Sequence, residues 1–199
     1  MFLLGGSVLV AAAILLLWPT NRPDIETGTM LDKPKSLPQF EFVDHRGASF
    51  NRHDMVGQWS LLFTGFTTCP DVCPATISVL TTLDKKLRTD GDGTEIRMIF
   101  LSVDPERDAL DNLARYVEYF SPSLTGVTGD MSGIEEFCDE IGMSFIHIPG
   151  SGDSYTVDHS GALVLIDPRA RVAGYFKPPF DMDLLVKDLQ TIADRGRLF

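Results

Sequence analysis

Cysteine is scarce in this 199-residue chain, which holds only Cys69, Cys73 and Cys138. Three are too few for a disulfide-framed mini-protein, and a zinc ribbon is excluded because a second closely spaced pair is missing. Basic charge is also short. Lys and Arg number 17 against 28 Asp and Glu, and the net charge of −11 would repel phosphate backbones instead of releasing their counterions, which excludes nucleic-acid binding. No repeat or low-complexity block occurs, and no Arg-rich, Ser-rich amphipathic presequence opens the chain. The seven methionines are scattered, without the Met-x-x-Met clustering of a thioether copper site; Met98, Met143 and Met182 are expected in the core or at its rim. The length that remains fits one ordinary domain with an appendage, large enough to bury a core without disulfide staples.

Charge is wholly absent from MFLLGGSVLVAAAILLLW at the start. That run reaches the short end of what spans a bilayer, and it runs into Trp18, Pro19, Thr20 and Asn21 without an A-x-A-like exit, so residues 1–20 read as one transmembrane anchor rather than a cleaved signal peptide. The nearest basic residues, Arg22, Lys33 and Lys35, all follow it, which by the positive-inside rule favours a cytoplasmic domain. Pro19, Pro23, Pro34 and Pro38 among polar neighbours make residues 21–38 a Pro-rich, semi-extended linker, with the globular domain expected from 39 to 199.

Within that domain, hydrophobic periodicity alternates between the strand and helix repeats. Phe40 and Phe42 alternate as in a strand, Asp44 to Gly47 supply turn chemistry, and SLLFTGF (60–66) reads as a buried strand. Ile77, Leu80, Leu83 and Leu87 then recur at helical steps. IRMIFLSV (96–103) is a second strand, followed by a helix bearing Leu110, Leu113, Ala114, Val117 and Phe120 and another through Ile134, Phe137, Cys138 and Ile141. ALVLID (162–167) and VAGYF (172–176) flank Pro168, Arg169 and Ala170 as a hairpin, and Leu185, Leu189 and Ile192 close the chain on an amphipathic helix. Strands alternating with helices and ending in a hairpin make an α/β architecture with a mixed central sheet flanked by helices, the thioredoxin-like pattern.

The chemistry concentrates in TTCPDVCPAT (67–76). Pro70 and Pro74 are tolerated in a helix's first turn, where backbone N–H groups lack intrahelical partners, so Cys69 is expected at or just before a helix N-terminus, where the positive dipole end lowers a thiol's pKa. Helical i, i+4 spacing would hold the two Cβ atoms about 5 to 6 Å apart. A relaxed disulfide wants about 3.5 to 4.5 Å. Two thiolates at the wider spacing can grip a soft metal such as Cu(I); with three intervening residues instead of two, the redox geometry is looser than in a thioredoxin dithiol. Metal binding, redox chemistry and a merely packed pair all remain open on spacing alone.

Two sulfurs leave a metal undercoordinated, so the histidines matter. His45 is expected to be exposed in its turn, His53 to cap or be solvated, and His147 to be half-buried in a strand. His159 is the candidate third donor, because the loop before the strand at Ala162 faces the cysteine helix in a thioredoxin-like sheet. Cys138 falls on an apolar helix face as a small buried hydrophobe. Asp104 in SVDPERD is expected to cap the following helix. Asp71, between the cysteines, is expected to tune the thiolates, contact a partner or simply be exposed.

Taken together, GFTTCPDVCP (65–74), FLSVDPERD (100–108), LTG (124–126) and VDHSGALVLIDP (157–168) resemble the Sco/SenC proteins, membrane-tethered copper-binding factors for cytochrome c oxidase assembly, over about residues 40–190. The resemblance implies a thioredoxin-like fold and one copper ion held by Cys69, Cys73 and His159. It implies delivery of copper to the binuclear copper centre of cytochrome c oxidase subunit II, or thiol-disulfide reduction of that subunit's cysteines by Cys69 and Cys73. It further implies a domain on the periplasmic or intermembrane-space side, opposite to the charge rule; the missing presequence points to a bacterial inner membrane. A peroxidase role, shared by chains of related fold, ranks behind both.

Overall fold

The computed structural model describes residues 25–90, 94–150 and 155–196. The anchor expected at 1–20 lies outside the described residues, among which no helix is long and apolar enough to cross a membrane.

The sheet is built outward from β4 (Trp59–Gly65), buried along all but its first residue, as a strand covered on both faces must be. It pairs in parallel with β5 (Ile96–Ser102), reached through helix α1 (Val72–Asp90), and β5 pairs in parallel with β6 (Leu124–Thr128), reached through α2 (Leu110–Phe120). On the other side of β4, β9 (Leu163–Asp167) runs antiparallel and forms the expected hairpin with β10 (Arg171–Phe176). The outer strands β1 (Gly28–Ser36), β2 (Glu41–Asp44) and β3 (Ser49–Asn51) complete an eight-stranded mixed sheet in the order β1-β10-β9-β4-β5-β6-β2-β3. A separate two-stranded ribbon, β7 (Phe145–Pro149) with β8 (Tyr155–His159), follows helix α3 (Met131–Glu140), and α4 (Met182–Gly196) closes the fold.

Side-chain burial follows the periodicities that created these elements. Ile77, Leu80, Leu83 and Leu87 are each at most 1% exposed, and α1 packs this stripe toward β5 while also meeting α2 and α4. Each such side chain contributes about 1.5 to 3 kcal/mol by leaving water. Phe40, Phe42 and Phe137 form a tilted and edge-on aromatic cluster that joins α3 to β2. Met98 and Met143 are buried and Met182 packs at the rim, as expected.

Two expectations need correction. Of the linker foreseen at 21–38, residues 28–36 form β1, paired with β10 through a register shift between Met30 and Lys35. As an edge strand, with Pro34 and two lysines and mostly exposed side chains, it shows no alternating apolar pattern. Its start is fastened by the buried Asp188 carboxylate, which accepts from the Glu26 and Thr27 amides and the Thr27 hydroxyl. His45, expected to be exposed, is buried at 5%; its Nδ1 lies 3.2 Å from the Gly126 amide, which donates to it and docks the turn onto β6.

Candidate metal centre

Strand direction decides where the chemistry collects. Gly65 at the end of β4 pairs with Ser102 at the end of β5, and Phe63 pairs with Leu163 at the start of β9, so the cysteine loop and the chain entering β9 meet at one end of the central strands. Cys69 lies in the turn after β4, its amide donating to the Phe66 carbonyl at 3.2 Å. Cys73 sits in the first turn of α1 and is wholly buried. The pair is therefore not a helical i, i+4 couple, because the helix begins at Val72. The helix end instead meets the other sulfur: the Cys73 amide donates to Cys69 Sγ at 3.5 Å.

His159 ends β8, and its Nε2 lies 3.2 Å from Cys73 Sγ. Its Nδ1 faces the Ser160 carbonyl at 3.2 Å; donation there leaves the Nε2 lone pair for the sulfurs or a metal. The ring is set edge-on to Phe63 and Phe66, at 5.7 and 5.8 Å between centroids. One donor atom from each of Cys69, Cys73 and His159 falls within 4.8 Å of the others, and among the described residues no fourth His, Cys, Asp or Glu joins them. All three cysteines are free thiols. His53 is exposed, His147 is half-buried against Phe145 and Tyr155, Asp71 is exposed and Cys138 is buried at 1%, so none of these enters the cluster.

Burial governs the protonation of the cluster. It pushes the Cys73 thiol well above its ordinary value, the Phe66 amide pulling the other way and Cys69 adding to the rise. At Cys73, in the first turn of α1, removal from water outweighs the helix end. Burial also lowers the His159 pKa, favouring the neutral imidazole that a metal requires. Nearby, the buried hydroxyl of Tyr116 has no hydrogen-bond partner among the described residues, and its pKa is raised by burial and then by the two sulfurs.

Sequence reasoning missed the residues that support the donors. A Cβ at Gly65 would stand 2.7 Å from Cys73 Sγ and 2.9 Å from the Phe100 ring, so only glycine lets the sulfur approach the strand this closely. Asp108, fully buried, accepts from the Thr67 amide at 2.9 Å and from the Thr67 and Ser102 hydroxyls at 2.6 Å each, tying the cysteine loop to the end of β5. Asp104 does not cap the following helix, whose N-cap position is Ala109 and carries no side-chain cap. It accepts instead from the Arg107 guanidinium and, at 2.6 Å, from the Tyr155 hydroxyl on β8. The legible signal was the density of Asp and Arg in SVDPERD directly after a buried strand, more charge than a single helix cap uses.

The fold and the site define a thioredoxin-like protein with a three-donor sulfur and imidazole cluster at one end of its central strands. The SCO1/SenC family model matches residues 28–194, and the chain belongs to that family. It is 31% identical over 168 residues to a putative copper-binding protein of Stutzerimonas stutzeri, covering 84% of this chain and 82% of that one. It is 33% identical over 178 residues to the mitochondrial SCO2 homolog of Bos taurus, covering 85% and 67%. Among solved structures, Arabidopsis thaliana ScoI with copper bound aligns with a TM-score of 0.74 at 27% identity over 82% of this chain and 99% of that one. Bradyrhizobium japonicum ScoI with copper bound aligns with a TM-score of 0.70 at 28% identity, over 78% and 98%.

Proposed function

We propose that this chain is a copper chaperone: Cys69, Cys73 and His159 hold one copper ion, and the protein delivers it to the binuclear copper centre of cytochrome c oxidase subunit II during oxidase assembly. The observation that carries this reading is the convergence of two sulfurs and one imidazole nitrogen within 4.8 Å without a fourth donor of these residue types among the described residues. Thiolates select Cu(I) and imidazole suits copper, whereas a closed zinc site wants four ligands. An incomplete shell also suits cargo that must leave, since a partner's ligand can enter where none is occupied. The copper-bound relatives support the same metal. Uptake displaces the Cys73 proton, so the buried pocket exchanges a neutral S–H for a neutralised metal–thiolate bond.

In the same reading residues 1–20 anchor the chain as a single span in a bacterial inner membrane, with the domain in the periplasm. Their uncharged apolar run supports the anchor, and the family resemblance supports the side.

A second reading, thiol-disulfide reductase toward the oxidase subunit's cysteines, is favoured by the free thiols and by Cys69 being the more exposed of the two, fit to attack while Cys73 resolves. Anaerobic copper titration of the full-length chain against a competing chelator separates the two. One equivalent of copper is expected, with Cys69→Ser, Cys73→Ser and His159→Ala each costing more than about 100-fold, beyond the loss when only a ligand's hydrogen-bond partner is removed. His159→Ala should leave disulfide exchange nearly intact. Uptake of zinc but not copper, or unchanged copper affinity without the imidazole, overturns the chaperone reading.

A further inference from the structure

Among the described residues, the strand that carries His159 shares no hydrogen-bond ladder with the main sheet, and β8 pairs only with β7. The pairing of β9 with β4 brings the end of β8 near the cysteines, but no backbone ladder holds β8 itself against their loop. The β5–α2 loop grips both ligand-bearing segments instead. At one end, Asp108 holds Thr67 of the cysteine loop. At the other, Asp104 accepts from the Tyr155 hydroxyl at 2.6 Å, and Arg107 Nη1 donates to the Tyr155 carbonyl at 2.9 Å. The Arg107 guanidinium lies over the Tyr155 ring at 3.8 Å and over the Phe66 ring at 5.4 Å, so it is packed between the cysteine loop and the histidine strand. Phe66 in turn stands edge-on to His159. Asp104, wholly buried, pairs with Arg107 and keeps its guanidinium in place.

We propose that Arg107, held by Asp104 and stacked on Phe66 and Tyr155, is a positioning residue that latches β8 against the cysteine loop and so decides whether His159 completes the copper site. The inference rests on the three-donor reading above. With the latch closed the site has three donors. With it released, β8 withdraws the imidazole and leaves a two-sulfur site, a weaker holder of copper. Because the guanidinium is planar, charged and stacked on two rings, lysine reproduces only its ion pair.

The test uses the full-length chain in detergent micelles, reduced and metal-free, as wild type, Arg107→Gln, Arg107→Lys and Tyr155→Phe. Tyr155→Phe removes one hydroxyl and keeps the ring, so it reports on the latch even where the arginine variants fold poorly. Amide hydrogen exchange across 155–159 is expected to rise about tenfold in Arg107→Gln while 60–65 in β4 stays protected, because the opening is local. Tyr155→Phe and Arg107→Lys should fall between it and wild type. After copper loading, Arg107→Gln should lose about 10- to 100-fold in affinity, and its Cu(II) form should lose the imidazole nitrogen coupling in the electron paramagnetic resonance spectrum. Wild-type exchange at 155–159 in both Arg107→Gln and Tyr155→Phe, or an equal rise in β4, overturns the latch. Failure of the wild type to use the imidazole overturns the chaperone reading instead, and the metal-free exchange data still decide whether Arg107 fastens β8.

Discussion

Cys73 Sγ and His159 Nε2 stand 3.2 Å apart, although the two residues are 86 positions apart in sequence. Nothing local brings them together. The sulfur is placed by the first turn of α1 beneath the end of β4, the nitrogen by a ribbon outside the main sheet, and the loop from Asp104 to Asp108 spans the gap. The supports of this contact, rather than the donors themselves, give the expectations that follow.

Gly65→Ala should disturb the site without replacing any of the three donors. The added methyl group meets Cys73 Sγ at 2.7 Å and the Phe100 ring at 2.9 Å in a closely packed core. Overpacking of this kind costs about 1 to 3 kcal/mol. Urea unfolding of the metal-free protein should show that loss, and the same variant should bind copper more weakly. A variant as stable and as tight as wild type would mean that Cys73 has room to shift.

Removing the first strand should destabilise the domain. A fragment starting at residue 37 lacks β1 and leaves Asp188 without the Glu26 and Thr27 donors, whereas one starting at residue 25 keeps them. A buried carboxylate stripped of its partners alone costs about 1 to 3 kcal/mol. The shorter fragment should therefore unfold at clearly lower urea than the longer one; equal midpoints would make β1 an accessory.

Alkaline pH should weaken the fold partly through Cys138, whose thiol is pushed up to about 12, chiefly by burial and then by Asp139. The pKa is raised in the folded state, so the unfolded chain releases this proton first. Stability is fully present below the ordinary value of 9.0 and is lost as pH climbs toward 12. The slope is about 1.4 kcal/mol per pH unit for this one group. Cys138→Ala should show a shallower decline between pH 9 and 11 than wild type. Parallel curves would relocate the effect to other buried groups.

Disulfide formation should compete with metal. Oxidation with diamide joins Cys69 and Cys73 and consumes both thiolates, so the oxidised protein should bind copper more than about 100-fold more weakly, as when ligands are lost outright. Reduction should restore binding. Oxidised protein that still takes up a full equivalent would place the metal elsewhere.

Much of this protein was written in its sequence, because the features concerned are local or periodic. The 3.6-residue recurrence from Ile77 to Leu87 became α1, the apolar runs at 60–66 and 96–103 became the central strands, and Pro168 to Ala170 became the turn of a hairpin. The motif around Cys69 and Cys73 and the DHS at 158–160, through the family they resemble, named these three side chains as candidate ligands. Other features have no local signature. β1 is recognised only through its partner β10, since an exposed edge strand needs no apolar alternation. Burial raised the Cys73 pKa where the helix end alone would have lowered it, and burial depends on every element packed around the sulfur. Asp104 looked like a cap because its neighbours in sequence are a helix; its neighbours in space are Arg107 and Tyr155. The sequence by itself determined which atoms this protein could offer a metal, since donor chemistry belongs to the side chain. Only the tertiary structure decided how those atoms are held and protonated, because distance and desolvation belong to the packed whole.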